Sequence, residues 1–313
     1  MCGIAGYLDK RSDRAAVGSV LLTMLEALGQ RGPDSAGLAL IGQPARDGEV
    51  CWVRLPEGRD LEAAALDALG LVSSVADIRR HHIAGGMVRI ELNRKAGVAD
   101  FCSRVEAPEH GLEIVSLGRH LELVKQVGAP SNVGRALDIP AVRGSHGIGH
   151  TRLSTESKVD LSHSQPFWAR GVPDLATVHN GHITNYHRLR SIYEQQGVRF
   201  FTENDSEVIG VYLADQMSRG RSLEEAMAAS LQDLDGSFTY LVAAPELLGY
   251  ARDPFALKPL ITVETDSYVA IANEEVAIRA ALGTDGTAHE PSGNVYRTWR
   301  RKGAAATASV AAT

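Results

Sequence analysis

Apolar runs and helical repeats of apolar residues alternate along the first part of the chain. Residues 3–7 form an apolar run that predicts a strand, and the three- and four-residue recurrence of apolar positions from Val17 to Leu28 predicts a helix. Glycine and proline in residues 31–37 end that helix. The apolar residues 38–41 then predict a second strand.

The next hundred residues are less clearly divided. The pattern predicts a helix from Leu61 to about Arg80, a strand near residues 87–92, and a pair of strands at residues 112–117 and 121–127. We interpret residues 43–145 as a long insertion. It is either an embedded subdomain or an elaboration of the core sheets, and the sequence does not decide between them.

From Gly147 onward the pattern is sharper. Residues 147–152 and 175–178 predict strands, and His179-Asn180-Gly181 is interpreted as the turn after the second. Ser222 and Glu225 form a capping box that predicts the start of a helix. The other predicted elements are helices at 187–196, 205–218 and 274–282, and strands at 238–242, 260–263 and 268–271.

Strands that cluster beside pairs of helices favour a layered α+β fold over a doubly wound parallel sheet. We expect one domain over residues 2–302. Residues 303–313 are rich in alanine and lack periodicity, which predicts a disordered tail.

Composition and charge exclude several classes of function. The 313 residues carry a net charge of −6, which argues against nucleic acid as a partner because phosphate binding needs clustered cations. No apolar run approaches the roughly 18–20 residues of a membrane span. Charged residues from Asp9 onward argue against a signal peptide, so we expect a cytoplasmic protein with no membrane partner.

The three cysteines, Cys2, Cys51 and Cys102, are widely spaced and form no CxxC pair. This argues against a disulfide framework and against a cysteine metal site. The eleven histidines show no HExxH spacing, so we predict no metal site.

Cys2 is the first candidate for chemistry. Removal of Met1 would expose its α-amine, whose ordinary pKa of roughly 7.7–8.0 suits a general base near neutral pH. Such an amine can activate the thiol of its own residue. The alternative is that Cys2 is an inert second residue.

The other candidates fit an acyl transfer on an amino acid. The Asn180 amide and the Gly181 backbone N–H could stabilise an oxyanion, although Asn-Gly by itself is more typical of a turn. Arg152 with Thr155 could hold a carboxylate, unless Arg152 forms a surface ion pair. Asp205 could bind an ammonium group, unless it or Asn204 caps the following helix.

These residues together resemble the class II glutamine amidotransferases. The matching motifs occur in the order of that family, over residues 2–283. They are Met1–Gly6, Arg31–Gly37, Gly147–Arg152, Gln165–Phe167, His179–Gly181, Glu203–Glu207 and Arg252–Leu260.

The resemblance implies an N-terminal nucleophile hydrolase fold, a four-layer sandwich of helices, two antiparallel sheets and helices. It also implies that glutamine is the substrate and that Cys2 attacks its side-chain amide. Asn180 and Gly181 would hold the oxyanion. The implied substrate-binding residues are Arg152 and Thr155 for the carboxylate, Asp205 for the α-amine, and Arg31, which orders the loop beside the nucleophile.

The long insertion, and the absence of a synthase domain after residue 283, depart from the family members that act on sugar phosphates. The stretch 117–128 is similar to stand-alone subunits related to glutamate synthase, such as the small subunit of N-methylglutamate synthase. This implies separate synthase subunits in a hetero-oligomer. It also implies no cofactor in this chain, with a flavin or an iron–sulfur cluster in the partner subunits.

Two alternatives remain at this stage. The same fold could hydrolyse another amide, although a clamp for both charged ends of an amino acid argues against this. The chain could also be a non-catalytic scaffold subunit, although every expected type of catalytic residue is present.

Overall fold

The computed structural model describes residues 2–45, 47–154 and 158–301. Sixteen strands and eight α-helices lie in these ranges. The strands are β1 (Gly3–Asp9), β2 (Ser35–Gly42), β3 (Glu49–Arg54), β4 (Ala76–Ala84), β5 (Met87–Arg94), β6 (Glu113–Gly118), β7 (Leu121–Val127), β8 (Gly144–Arg152), β9 (Phe167–Trp168), β10 (Ala176–Ile183), β11 (Gly236–Ala244), β12 (Leu247–Arg252), β13 (Ile261–Glu264), β14 (Tyr268–Ala272), β15 (Ala288–His289) and β16 (Val295–Arg300). The helices are α1 (Val17–Ala27), α2 (Leu61–Val75), α3 (Val98–Val105), α4 (Pro130–Leu137), α5 (Tyr186–Gln195), α6 (Ser206–Ser218), α7 (Leu223–Asp233) and α8 (Glu275–Leu282).

Two antiparallel sheets form the centre of the molecule. One has seven strands in the order β15-β13-β14-β1-β8-β2-β7, and the other has five in the order β16-β12-β11-β10-β9. Helices α1, α4 and α8 pack on the first sheet, α6 and α7 pack on the second, and α5 packs against α6. The α+β class and the layered sandwich predicted from the sequence are therefore confirmed.

The burial of β1 explains its continuous apolar character. Strand β1 lies in the middle of the seven-stranded sheet, with α1 on one face and the five-stranded sheet on the other. Strands covered on both faces lose the alternation of apolar and polar residues. The predicted α1 stripe is likewise buried, including Leu21, Met24 and Leu25.

The region of residues 43–145 contributes to two sheets. Strands β3, β4, β5 and β6 form a separate four-stranded sheet in the order β4-β5-β3-β6, against which α2 and α3 pack. Strand β7 instead joins β2 at the edge of the seven-stranded sheet. The insertion thus has a sheet of its own and also extends a core sheet.

Two predictions for this region were wrong. The helix predicted to run to about Arg80 ends at Val75, and residues 76–84 are strand β4, because they pair with β5. Strands β6 and β7 were predicted as a pair but lie in different sheets. The Asp174 carboxylate accepts hydrogen bonds from the backbone N–H groups of residues 119–121. These bonds hold the connection at which the chain passes from the sheet of β6 to the sheet of β7.

The chain after β8 follows the predictions more closely. Helices α5, α6 and α8 lie within one or two residues of their predicted bounds. Ser222 and Glu225 form the predicted capping box at α7. The predicted tail, residues 303–313, lies outside the described residues. Within the described ranges, no helix has the length and apolar character needed to cross a membrane.

Candidate active site

The candidate nucleophile Cys2 directly precedes β1 and is half-buried. Strand β1 pairs with β8 so that Gly3 lies opposite Thr151, which brings Cys2 to the same end of the sheet as Arg152. The Cys2 Sγ is 3.8 Å from the carbonyl oxygen of Leu153. The position of Cys2 is thus set by the register of the central strands.

Arg31 holds the backbone of Cys2 through a hydrogen bond. Its Nε donates to the Cys2 carbonyl oxygen over 3.1 Å, and its guanidinium forms an ion pair with Glu274 just before α8. The loop that carries Arg31 therefore holds the nucleophile in place.

The charges of two other predicted site residues, Arg152 and Asp205, affect the pKa of the Cys2 thiol. Burial raises the pKa of Cys2, and the neighbouring carboxylate of Asp205 adds to this effect. The hydrogen bond to Leu153 and the charge of Arg152 oppose it. The thiol is accordingly protonated at rest, so it needs a base to become a nucleophile.

Arg152 ends strand β8 and is 4% exposed, so the alternative of a surface ion pair is wrong. Its Nη1 donates to the carbonyl oxygen of Lys158 over 2.8 Å. Its own carbonyl oxygen accepts from the N–H of Asp34 over 3.0 Å, and the Asp34 carboxylate accepts from the N–H of Ser154 over 2.7 Å. Local hydrogen bonds on both sides therefore fix the backbone at Arg152.

Asp205 lies at the start of α6, but its carboxylate does not cap the helix. It accepts from the N–H of Ile183 at the end of β10 over 2.8 Å, and it is partly exposed. The Asn204 side chain accepts instead from the N–H of Ser206 over 3.0 Å. The Asp205 carboxylate therefore faces the end of β10, in the direction of Cys2, rather than its own helix.

Asn180 and Gly181 lie inside β10, so the prediction of a turn at residues 179–181 was wrong. They pair with Thr239 and Phe238 of β11, and Gly181 has a φ of +140°. A Cβ at Gly181 would lie 2.1 Å from the carbonyl oxygen of Ser237, so no other residue fits there.

The Asn180 side chain is 5% exposed, and its Nδ2 has no hydrogen-bond partner among the residues that the structure describes. A buried donor without a partner is costly and rare in proteins. Its chemistry suits an anionic oxygen, which would complete its hydrogen bonding.

Sequence reasoning gave no role to Gln165 and Ser206. The Gln165 side chain accepts from the N–H of His179 over 2.6 Å and donates to the His179 carbonyl oxygen over 3.1 Å. Ser206 Oγ lies 2.8 Å from Nδ1 of the same histidine. Both residues therefore hold His179, which directly precedes Asn180, in place. Their only sequence signal was their place within the family-like motifs.

The structure thus brings Cys2, Arg152, Asp205 and Asn180 to one end of the two sheets. Thr155, predicted to bind a carboxylate with Arg152, lies outside the described residues. A separate cavity of about 950 Å³ lies between the insertion and the far end of β2, lined by Arg80, Arg119 and Arg143 among others. At 3.3 Å per residue, β2 alone puts roughly 20 Å between it and Arg152.

Comparisons with known proteins agree with this geometry. Residues 150–280 match the family described as a glutamine amidotransferase domain. The chain is 36% identical over 293 residues to a protein of Methanothermobacter thermautotrophicus named "Putative glutamine amidotransferase", covering 91% of this chain and 95% of the relative. It is also 36% identical over 283 residues to the glutamine amidotransferase-like protein GlxB of Rhizobium meliloti, covering 89% and 91% of the two chains.

A solved structure shares the fold. Glutamine phosphoribosylpyrophosphate amidotransferase from B. subtilis superposes with a TM-score of 0.62 at 19% identity, over 96% of this chain and 49% of that one. This chain therefore spans about half of that structure. The two sequence relatives, each 36% identical over about nine-tenths of both chains, show that the chain belongs to the glutamine amidotransferase family.

Proposed function

We propose that this chain hydrolyses the side-chain amide of glutamine through Cys2 and supplies the ammonia to a separate synthase subunit. One observation carries the proposal. The charges of Arg152 and Asp205 both act on the thiol of Cys2, and the Asn180 amide, whose Nδ2 has no partner among the described residues, lies at the same end of the sheets.

The two charged groups match the two ends of an amino acid. Arg152 binds the α-carboxylate, since a guanidinium can hold two carboxylate oxygens at once. Asp205 binds the α-ammonium. Both are held by backbone contacts, so the site is formed before glutamine arrives. Thr155 adds a hydroxyl donor for the carboxylate.

The reaction begins at Cys2 after the removal of Met1. The α-amine takes the thiol proton as the sulfur attacks the amide carbon, which forms a carbon–sulfur bond and a tetrahedral oxyanion. The Nδ2 of Asn180 and the N–H of Gly181 stabilise that oxyanion. The amine then returns the proton to the leaving nitrogen, the carbon–nitrogen bond breaks, and ammonia departs.

Water completes the cycle. The α-amine takes a proton from the water as it attacks the glutamyl thioester, and the same two donors stabilise the second oxyanion. The carbon–sulfur bond then breaks, the amine gives the proton to the departing sulfur, and glutamate and the free thiol are released. Because burial raises the pKa of Cys2, the thiol needs the α-amine as its base. Arg31 contributes by positioning the Cys2 carbonyl group.

The test compares glutamine with glutaramate, which has the same amide and carboxylate but lacks the α-amine. We expect kcat/KM for glutaramate to be lower by at least about 100-fold, since the carboxylate of Asp205 would lose its partner. Equal turnover of the two amides would favour an amide hydrolase with another substrate. The absence of hydrolysis of either, together with a retained Met1 in the mature protein, would favour a scaffold subunit.

The acceptor is tested by purifying the complex from the native host. We expect a synthase subunit that carries a flavin or an iron–sulfur cluster. Recovery of a sugar-phosphate-binding partner instead would contradict the proposed relation to glutamate synthase and N-methylglutamate synthase.

A further inference from the structure

One segment contacts the candidate site at three places. Residues 158–165, here called the connecting segment, link β8 to β9. Its contacts with the site are Arg152 Nη1 to the Lys158 carbonyl oxygen (2.8 Å), Asn204 Nδ2 to the His163 carbonyl oxygen (3.3 Å) and Gln165 Nε2 to the His179 carbonyl oxygen (3.1 Å). Arg152 is the residue predicted to bind the carboxylate. Asn204 directly precedes Asp205, which is predicted to bind the ammonium group, and His179 directly precedes Asn180, the predicted oxyanion donor.

The connecting segment is held together internally. The carboxylate of Asp160 accepts from the backbone N–H of His163 over 2.8 Å and lies 2.7 Å from Nδ1 of that ring. Ser164 Oγ donates to the Asp160 carbonyl oxygen over 2.6 Å. A displacement of one end would therefore move the segment as a unit.

The opposite side of the segment is held by the insertion. Glu113 on β6 accepts from Ser162 Oγ over 2.5 Å. Lys125 on β7 donates to the Ser164 carbonyl oxygen over 3.1 Å and lies 3.5 Å from that of Ser162. Glu113 and Lys125 are 3% and 2% exposed, which marks both as buried charges.

These two residues belong to a buried cluster with equal numbers of opposite charges. Its members are the cations Arg54, Lys125 and Arg170 and the carboxylates Glu106, Glu113 and Glu207. Arg54 donates to Glu113 over 2.8 Å, and Arg170 donates to Glu106 over 2.7 Å. Burial disfavours ionisation of Glu113, but Lys125, Arg170 and Arg54 hold its pKa below the ordinary value.

Two chain regions meet in this cluster. Arg54, Glu106, Glu113 and Lys125 come from the insertion, whereas Arg170 and Glu207 come from the core. Removing one partner of a buried pair leaves an uncompensated charge, which is strongly destabilising. The cluster therefore fixes where the insertion sits relative to the connecting segment.

We propose that Glu113 and Lys125 of the insertion are positioning residues for glutamine binding, which act on Arg152 and Asp205 through the connecting segment. This inference rests on the proposed function. It gives the insertion a role in the reaction. Contact with a partner that displaces the insertion would reach the glutamine site along the same path.

The test uses serine variants that leave the buried charges intact. Ser162→Ala removes the hydroxyl that joins the connecting segment to Glu113. Ser116→Ala is the matched control, because Ser116 is also buried on β6 but its Oγ has no partner among the described residues. Steady-state kinetics with glutamine and thermal unfolding are measured for both variants in the full chain.

We expect KM for glutamine to rise about tenfold in Ser162→Ala, equivalent to about 1.4 kcal/mol of binding energy. Its kcat should change less than about twofold, because a group that binds substrate and transition state equally affects KM alone. Ser116→Ala should match the wild type in both constants. Glu113→Gln should raise KM further, and adding Ser162→Ala to it should have little extra effect, since both changes interrupt one path.

An unchanged KM in Ser162→Ala and Glu113→Gln would overturn the inference, and so would an equal rise in the Ser116→Ala control. Should Glu113→Gln fail to fold, the serine pair decides alone. Loss of glutamine hydrolysis in Cys2→Ala distinguishes the two proposals. If that variant is inactive while Ser162→Ala is kinetically normal, only the role of the insertion is refuted.

Discussion

Two groups of buried polar side chains in this molecule differ in how fully they are hydrogen-bonded. In the cluster around Glu113, the charged groups contact one another, and Glu113 and Lys125 also reach the connecting segment. Between the two core sheets, the Asn180 Nδ2 and the Thr239 Oγ1 lack partners among the described residues. These two are neighbours in register on β10 and β11.

The difference separates groups that maintain the structure from groups available to a ligand. A buried donor that is left unpaired costs stability unless another molecule satisfies it. A paired group contributes to stability, and removing it lowers the free energy of unfolding because its buried partner is left uncompensated. Substitution of the unpaired Asn180 should therefore lower activity without lowering stability. Substitutions in the paired cluster around Glu113 should lower stability without lowering activity, unless they reach the connecting segment.

The largest contrast is expected at Asn180. Asn180→Ala removes the proposed oxyanion donor and should lower kcat by about 10²–10³-fold, as such donors typically contribute. It also removes an unsatisfied buried amide, so the free energy of unfolding should not fall. Glutamate release and urea unfolding of the same preparation check both expectations. An active variant, or one inactive only because it is unfolded, would contradict this role.

A smaller effect is expected at Asp205. Asp205→Asn retains an acceptor for the N–H of Ile183 but loses the charge that faces the substrate ammonium. We expect KM for glutamine to rise about 10- to 100-fold, since a hydrogen-bonded ion pair contributes about 1.5–3 kcal/mol. Because glutaramate lacks the ammonium, its kcat/KM should be unchanged by the variant. Equal losses for both amides would contradict the ammonium assignment.

A third prediction concerns pH and the fully buried His146 on β8. Burial lowers the pKa of His146 to about 4, from an ordinary value of about 6.5 in the unfolded chain. As pH falls from about 6.5 to 4, the unfolded state binds a proton that the folded state does not, so stability decreases by up to about 3 kcal/mol. His146→Gln should flatten this dependence in urea unfolding. Parallel curves for the two proteins would contradict it.

The smallest functional effect is expected where β7 contacts the four-stranded sheet. Glu122 on β7 accepts from Arg89 of β5 and, over 2.7 Å, from the Trp52 indole of β3. Glu122→Ala should lower the free energy of unfolding by about 1–2 kcal/mol, because partly buried donors lose their acceptor. KM and kcat for glutamine should stay unchanged. A raised KM would show that the whole insertion, rather than the cluster at Glu113, controls the site.

Local sequence signals were sufficient for the elements near the nucleophile. Strand β1, helix α1 and the capping box at Ser222 follow from apolar spacing and capping residues, and the structure has all three. Each chemical motif of the candidate site also had a structural explanation when taken alone. The site was predicted because the motifs occur in the order of the class II glutamine amidotransferases, and Arg31 was predicted from that resemblance only. The convergence of the site residues depended on the register of β1 against β8, which no local pattern shows.

Tertiary pairing explains the predictions that were wrong. Asn180-Gly181 has the composition of a turn, but eight residue pairs with β11 extend β10 through it. Strands β6 and β7 are separated by so few residues that a hairpin was expected. The distant carboxylate of Asp174 instead binds the connection and directs the two strands into different sheets. The charge cluster could not be predicted, because its six members come from separate segments.

The most direct test of the account compares the three cysteines as nucleophiles. Cys51 is buried in the four-stranded sheet, and burial raises the pKa of Cys102 to about 12, so neither should react. Glutamate release should be abolished in Cys2→Ala and unchanged in the double variant Cys51→Ala/Cys102→Ala, both folded by circular dichroism. Wild-type turnover in Cys2→Ala would show that Cys2 is not the nucleophile and would contradict the proposed function.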